Sequence, residues 1–174
     1  MLKNKPFRDD LPVSAHVDSA HFREGMSHVA AAVHVVTTDG PSGRAGFTAT
    51  AVTPVTDDPP SLLVCVNIAS RSVAALLENG VFCVNTLAED DVAVADAFAG
   101  RSGLQGPARF SIGEWSRTPA GNPRLASSLV SFDCRLAEAR IVATHHVLIA
   151  EIVRIDPGLA RPALVYHGRT YRRL

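Results

Sequence analysis

Residues 46–67 read GFTATAVTPVTDDPPSLLVCVN. Two kinds of strand lie side by side in this stretch. The second half, SLLVCVN at 61–67, is a nearly continuous apolar run, the pattern of a strand buried on both faces. The first half carries Thr48, Thr50, Thr53 and Thr56 among small apolar residues. On an extended strand Thr48 and Thr50 share one face, and Phe47 and Ala49 the other. Threonine has high strand propensity, so an ordinary edge strand would carry it. The other reading is a wall for a flat, polar-edged ligand. Small side chains let a ring approach, and hydroxyls and backbone N–H groups meet its heteroatoms. Pro59 and Pro60 mark the corner between the two strands.

Upstream, HVVTT (34–38) reads as a strand, DGPSG as a turn and RAGFTATAVT as the returning hairpin partner. Before it, Phe22, Met26, Val29 and Val33 fall at helical spacing, with Asp18 or Ser19 placed to cap the start. Residues 1–17 read as an N-terminal arm and 18–174 as one domain.

Downstream, SRSVAALLENG (70–80) predicts a short helix with serine at its start and Asn-Gly at its stop. VFCVNTL (81–87) predicts a strand, and AEDDVAVADAFAG a helix with acids in its first turn. Glycines and prolines make 100–124 an irregular loop region. VSFDCRL alternates, with Val130, Phe132, Cys134 and Leu136 on one face and Ser131, Asp133 and Arg135 on the other, as a half-exposed strand would. HHVLIAEIVRI predicts a long strand, and ALVYHGRTY a closing hairpin around His167-Gly168. Six to eight strands and two or three short helices, with strands mostly following strands, favour a mainly β barrel with helices outside it.

Charge and motif content exclude several function classes. Seventeen acidic residues balance seventeen Lys and Arg, so broad nucleic-acid binding is not expected. No run approaches the roughly 20 apolar residues that span a bilayer, and the first residues hold no signal-peptide core. The three cysteines, Cys65, Cys83 and Cys134, lie in apolar runs and form no CxxC pair, which predicts buried, reduced thiols in a cytoplasmic protein and no metal site. GxGxxG, GxSxG, P-loop and HExxH patterns are absent. His145 and His146, adjacent on a strand, point to opposite faces and cannot serve one site together. NIASRS (67–72) places Ser70, Arg71 and Ser72 at a helix start, either a plain serine cap or a phosphate site of hydroxyls and guanidinium.

The motif order resembles the short-chain flavin reductase family, the reductase components of two-component flavin-dependent monooxygenases, and within it the 4-hydroxyphenylacetate 3-monooxygenase reductase group. The matching pieces are GFTATAVTPVTDDPPSLLVCVN, FCVNTLAEDD, FAG at 98–100, ARF at 108–110 followed by Trp115, ATHH at 143–146, and the terminal ALVYHGRTYRRL. Each is weak alone; six in order across residues 20–174 are a strong signal.

The resemblance implies an FMN-binding split β-barrel of Greek-key type, working as a homodimer. It implies reduction of FMN or FAD by NADH or NADPH, with reduced flavin leaving for a separate monooxygenase. It assigns the isoalloxazine ring to Thr37, Thr38, Thr48, Ala49 and Thr50, with backbone donors on to Thr53. The ribityl and phosphate fall to Asn67, Ser70, Arg71 and Ser72, with Arg101 in a loop near the phosphate end. His145 matches a histidine beside the nicotinamide, and Tyr171 an aromatic lining that side. Two positions depart from the pattern. Pro54 replaces a usual serine and removes a backbone donor. Ala143 replaces a usual glycine and would be strained if the turn needs positive φ. On the residues alone, a flavin carrier or sensor that uses no nicotinamide, and a barrel that binds nothing, remain as alternatives.

Overall fold

The computed structural model describes residues 17–174, so the arm expected over 1–17 lies, except for Val17, outside the described residues. The main sheet contains seven antiparallel strands in the order β3-β2-β6-β9-β10-β5-β4. They are β2 (His34–Thr38), β3 (Ala45–Ala49), β4 (Val52–Asp57), β5 (Pro60–Asn67), β6 (Val81–Thr86), β9 (Val130–Val142) and β10 (His145–Pro157). The sheet's two edge strands, β3 and β4, are consecutive in the chain and separated by Thr50 and Ala51 alone. Two residues span only about 7 Å, so the sheet must curl until its ends nearly meet. The ends do not pair with each other, and the seam between them stays open. This is a split barrel, with β6 returning beside β2 in Greek-key fashion. At the seam, the Cys65 N–H donates to the Ala51 carbonyl (3.0 Å).

A second sheet of three strands, in the order β1-β11-β12, joins β1 (Ala31–Ala32), β11 (Leu164–His167) and β12 (Thr170–Arg173). The terminal hairpin turns at Gly168 and Arg169, both at positive φ (57° and 62°), one residue later than the sequence predicts. A small hairpin of β7 (Trp115–Arg117) and β8 (Pro123–Leu125) lies in the region read as irregular. The strands therefore number twelve among the described residues, more than the sequence tally. Among the described residues the three α-helices are α1 (Ser19–Ser27), α2 (Val73–Asn79) and α3 (Val92–Phe98). Asp18 caps α1, its Oδ1 accepting from the Ala20 and His21 N–H groups.

Strand alternation divides the core. Val36, Phe47, Val64, Phe82 and Leu148 fill the barrel. Val33, Val35, Leu87, Val94, Phe98 and Leu125 form a second core under α3. Both faces of β2 are therefore covered. Phe98, Phe110 and Trp115 pack edge to face (ring centroids 4.9 and 5.0 Å along the chain of contacts) and pin the segment after α3. Gly46 permits this approach: a β-carbon there would sit 2.7 Å from the Phe98 ring.

One sequence expectation fails on β9. Ser131 and Asp133, read as solvent-facing, are 1% and 2% exposed. The β7–β8 hairpin and β6 supply polar partners: Asn85 Oδ1 accepts from Ser131, and Asn122 Nδ2 donates to Asp133 (2.8 Å). An alternating pattern cannot distinguish water from a buried polar network on its polar face. Cys83 and Cys134 are buried as expected, and burial pushes both thiols up, Cys134 to about 12. Cys65 differs, being half-buried at the seam.

Candidate active site

The open seam forms a cleft of about 350 Å³ lined by residues 47–51 of β3 and its turn, Cys65–Asn67 of β5, Ser70 and His145. The chain's geometry explains the assembly. β3 brings Thr48 and Ala49 to the seam, and the Thr50–Ala51 turn crosses it. β10 pairs with β5 so that His145 faces Asn67. Ala49 and Ala51 keep the wall shallow. Thr48 donates its hydroxyl to the Ala95 carbonyl of α3 (2.7 Å), locking its rotamer, while Thr50 is exposed.

Asn67 Oδ1 accepts from the Ala69 N–H (2.8 Å), shaping the loop that carries Ser70. Ser70 lines both the cleft and a second cavity of about 310 Å³. That cavity is bounded by Ser70–Ser72 on one side and by Gly100, residues 103–105 and Arg109 on the other. Among the described residues two guanidiniums and no carboxylate line it. Arg71 donates to Gln105 Oε1 (3.1 Å). Arg109 donates through Nε to the Leu104 carbonyl and through Nη1 to the Gly46 and Phe98 carbonyls (3.3 Å each). Its Nη2 donates to no described residue. Ser72 does not cap α2: its hydroxyl donates to the Gly46 carbonyl (2.8 Å).

On the other side of Thr48–Thr50 lies a third cavity of about 200 Å³, lined by Val33, Ala99, Arg101, Tyr166 and Tyr171. Arg101 pairs with Asp96 (3.2 Å) and stacks over the Tyr171 ring at 5.6 Å. Burial pushes the Tyr171 hydroxyl above its ordinary value, against the opposing pull of Arg101.

The structure thus brings Thr48, Ala49, Thr50, Asn67, Ser70 and His145 to one cleft, with Arg71 and Ser72 at its basic end. Several expected residues lie elsewhere. Thr37 and Thr38 are buried at the far end of β2, beside Gly46 and Ala45, and donate to the Pro123 (2.5 Å) and Val81 (2.7 Å) carbonyls. Thr53 is exposed on edge strand β4, past the cleft wall. Pro54 is also on that edge, paired with Leu62, where a missing N–H is tolerated. Arg101 and Tyr171 line the tyrosine cavity; the guanidinium beside Ser70–Ser72 on the α3 side is that of Arg109. Sequence reading passed over Arg109, although ARF at 108–110 was the signal, and over Tyr166 and Gln105. His146, half-buried, points away from His145 as strand alternation requires. Ala143 has φ 50°, in the turn that presents His145. Among the described residues no cluster of His, Cys, Asp or Glu is placed to hold a metal.

The shallow small-residue cleft adjoins a dibasic cavity, with Ser70 lining both. Among the described residues Arg109 Nη2 has no partner and no carboxylate lines the cavity, which suits it to an anion. The curled, seam-opened sheet defines the fold as a split barrel. The chain belongs to the flavin reductase family: the model for the flavin reductase like domain matches residues 26–174. It is 50% identical over 158 residues to an FMN reductase (NADH) RutF from Methylorubrum extorquens, covering 91% of this chain and 76% of that one. A protein of the same name from Pseudomonas syringae is 46% identical over 164 residues, covering 94% and 90%. Among solved structures, BorF, the flavin reductase component of a bacterial two-component tryptophan halogenase, superposes with a TM-score of 0.83 at 35% identity, covering 90% and 98%. The Streptomyces globisporus NADH:FAD oxidoreductase SgcE6, at 23% identity and a TM-score of 0.83 over 92% and 97% of the chains, shares the fold.

Proposed function

We propose that this chain is an NADH-dependent FMN reductase whose reduced flavin leaves for a separate flavin-dependent monooxygenase or related oxygenase, with residues 18–174 as its catalytic domain. One observation carries the reading: Ser70 lines both the small-residue cleft and the cavity of Arg71 and Arg109, so a flat site and a dibasic site adjoin. The names of relatives at 45–50% identity support the flavin and the nicotinamide. BorF's description as one half of a two-component system supports the separate oxygenase.

When bound, the two cofactors supply the redox chemistry, a hydride passing from nicotinamide C4 to flavin N5. The protein's part is placement. Ala49 and Ala51 leave room for the flavin ring against β3. As an edge strand, β3 keeps outward N–H groups outside the ladder, and these would meet the ring edge that gains negative charge. Arg71, Arg109, Ser70 and Ser72 would hold the phosphate. His145 reaches the cleft from the opposite wall, and Thr144 Oγ1, 3.0 Å from its Nδ1, orients the imidazole. From there it would align the nicotinamide; no proton transfer is required of it. Tyr171 and Tyr166 would bound the other side.

We also propose the homodimer that the family resemblance implies. Phe22 and Met26 of α1 are 61% and 51% exposed, and with Val29 and Tyr166 they line an apolar groove of about 560 Å³ that adjoins the cleft at Thr50 and Ala51. No helix of the described residues is long and apolar enough to cross a membrane. The function is tested by following NADH consumption with purified protein and added FMN. Turnover that scales with protein is expected; consumption no faster than the protein-free mixture contradicts the reading.

A further inference from the structure

We propose that Gln105 is a specificity-determining residue. Through its hydrogen bond to Arg71 it narrows the rim of the dibasic cavity, which biases the site toward flavin mononucleotide over flavin adenine dinucleotide. The inference rests on the flavin reading of the groove and adds a determinant for which flavin fits.

The cavity has an inner and an outer end. Ser70, half-buried, is shared with the cleft and marks the inner end. Arg109, also half-buried, is fixed by three carbonyls and forms the floor, with Nη2 directed to no described residue. Arg71 and Gln105 are both exposed and mark the outer rim. Their 3.1 Å hydrogen bond ties the loop before α2 to the loop after α3, two segments 34 residues apart in sequence. A ligand entering from the cleft therefore meets two cations and then a bridge.

The two flavins make different demands on this arrangement. A terminal phosphate monoester carries nearly two negative charges at neutral pH, matching the two guanidiniums, and needs no exit. A dinucleotide places a pyrophosphate there and must carry a ribose and adenine onward through the rim. The Arg71–Gln105 bond narrows that passage on one side of the rim. A single solvent-exposed hydrogen bond has a modest net worth, equivalent to roughly 2- to 10-fold in affinity. The bridge therefore biases the choice without forbidding the larger flavin.

The test is fluorescence titration of the protein with riboflavin, FMN and FAD. The native protein is expected to bind FMN at least about 10-fold more tightly than riboflavin, through charge-assisted hydrogen bonds, and more tightly than FAD. Gln105→Ala is expected to shrink the FMN-over-FAD preference by about 3- to 10-fold. Gln105→Glu keeps an acceptor for Arg71 but adds a carboxylate beside the phosphate site, so it is expected to weaken FMN and FAD together relative to riboflavin and to keep their ratio nearer native than Gln105→Ala does. A general loss of structure would weaken all three flavins together and leave the ratio unmoved. Equal native affinity for FMN and FAD, or an unchanged ratio in Gln105→Ala, overturns the proposal while the flavin reading stands. Riboflavin binding as tightly as FMN also overturns it, because the cavity then takes no phosphate. Failure of all three flavins to bind overturns the flavin reading itself, and this proposal with it.

Discussion

His145 stands directly opposite Asn67 in the antiparallel register of β10 and β5. The next loop residue, Ile68, donates its N–H to the Thr144 carbonyl (3.0 Å). The turn that presents the histidine and the loop that leads to the dibasic cavity are thus one hydrogen-bonded unit. Placement at the two ends of the groove is coupled through the backbone, and the side chains do separate tasks.

That division predicts a selective effect of His145→Ala. Exposed at its strand end, His145 supports no core, so folding should be unaffected. Loss of one orienting contact is expected to lower kcat/KM for NADH by about 10-fold or more, while the FMN dissociation constant changes far less. Steady-state kinetics alongside flavin titration separate the two, and unchanged NADH kinetics would remove His145 from the site.

Ala143 occupies the left-handed region at φ 50°. A non-glycine residue there is disfavoured by roughly 1–2 kcal/mol, partly offset by the greater chain entropy glycine brings to the unfolded state. Ala143→Gly should therefore stabilise the protein by up to about 1 kcal/mol, equivalent to a rise of about 2–4 °C in Tm. Ala143→Val should lower Tm, because a branched β-carbon worsens the same clash. Thermal unfolding of the two variants should move in opposite directions.

His34 gives the protein a defined acid sensitivity. Its ring is buried, with Nδ1 3.1 Å from Thr86 Oγ1, and burial lowers its pKa from 6.5 to about 4. Above pH 6.5 the ring is neutral in both folded and unfolded chains, and no penalty arises. Between 6.5 and about 4 only the unfolded chain takes the proton, so stability falls as pH falls, by on the order of 3 kcal/mol in total. Urea unfolding at pH 7 and pH 5 should show the loss, and His34→Gln should flatten this part of the slope.

Asn85 holds the buried polar layer together. Its Nδ2 donates to the Val35 carbonyl (3.1 Å), and its Oδ1 accepts from the Leu125 N–H (2.9 Å) and the Ser131 hydroxyl (3.0 Å). Asn85→Ala strands these groups without water, at about 1–3 kcal/mol each. The expected loss of stability is about 3 kcal/mol or more, read by denaturant unfolding. Ser131→Ala removes two hydroxyl bonds, to Asn85 and Ser128, and should cost less.

Where the sequence was legible, backbone physics decided the outcome. The apolar run of β5, the β2–β3 hairpin and the long β10 follow from periodicity and turn residues. So does the opposition of His145 and His146. Thr48 and Thr50 stand out at the seam because hydroxyl side chains add little to an apolar core, whereas Ala49 packs into it. What sequence could not separate were residues of identical chemistry in different places. Thr37 and Thr48 are both strand threonines, yet one caps a carbonyl in the core and the other borders the cleft. Arg101 and Arg109 follow the same FAG segment, but Asp96 and Tyr171 hold the first on the tyrosine side while three carbonyls fix the second under the basic cavity. Ser131 and Asp133 looked solvated because their partners, Asn85 and Asn122, lie on other strands and turns.

The most direct test of the account is anaerobic. NADH is added in excess to a mixture of FMN and a small amount of the protein, and the visible flavin absorption is followed. The account predicts bleaching at a rate proportional to protein, slowed in His145→Ala. Flavin that binds yet bleaches no faster than in protein-free buffer would contradict it and mark the groove as a carrier site.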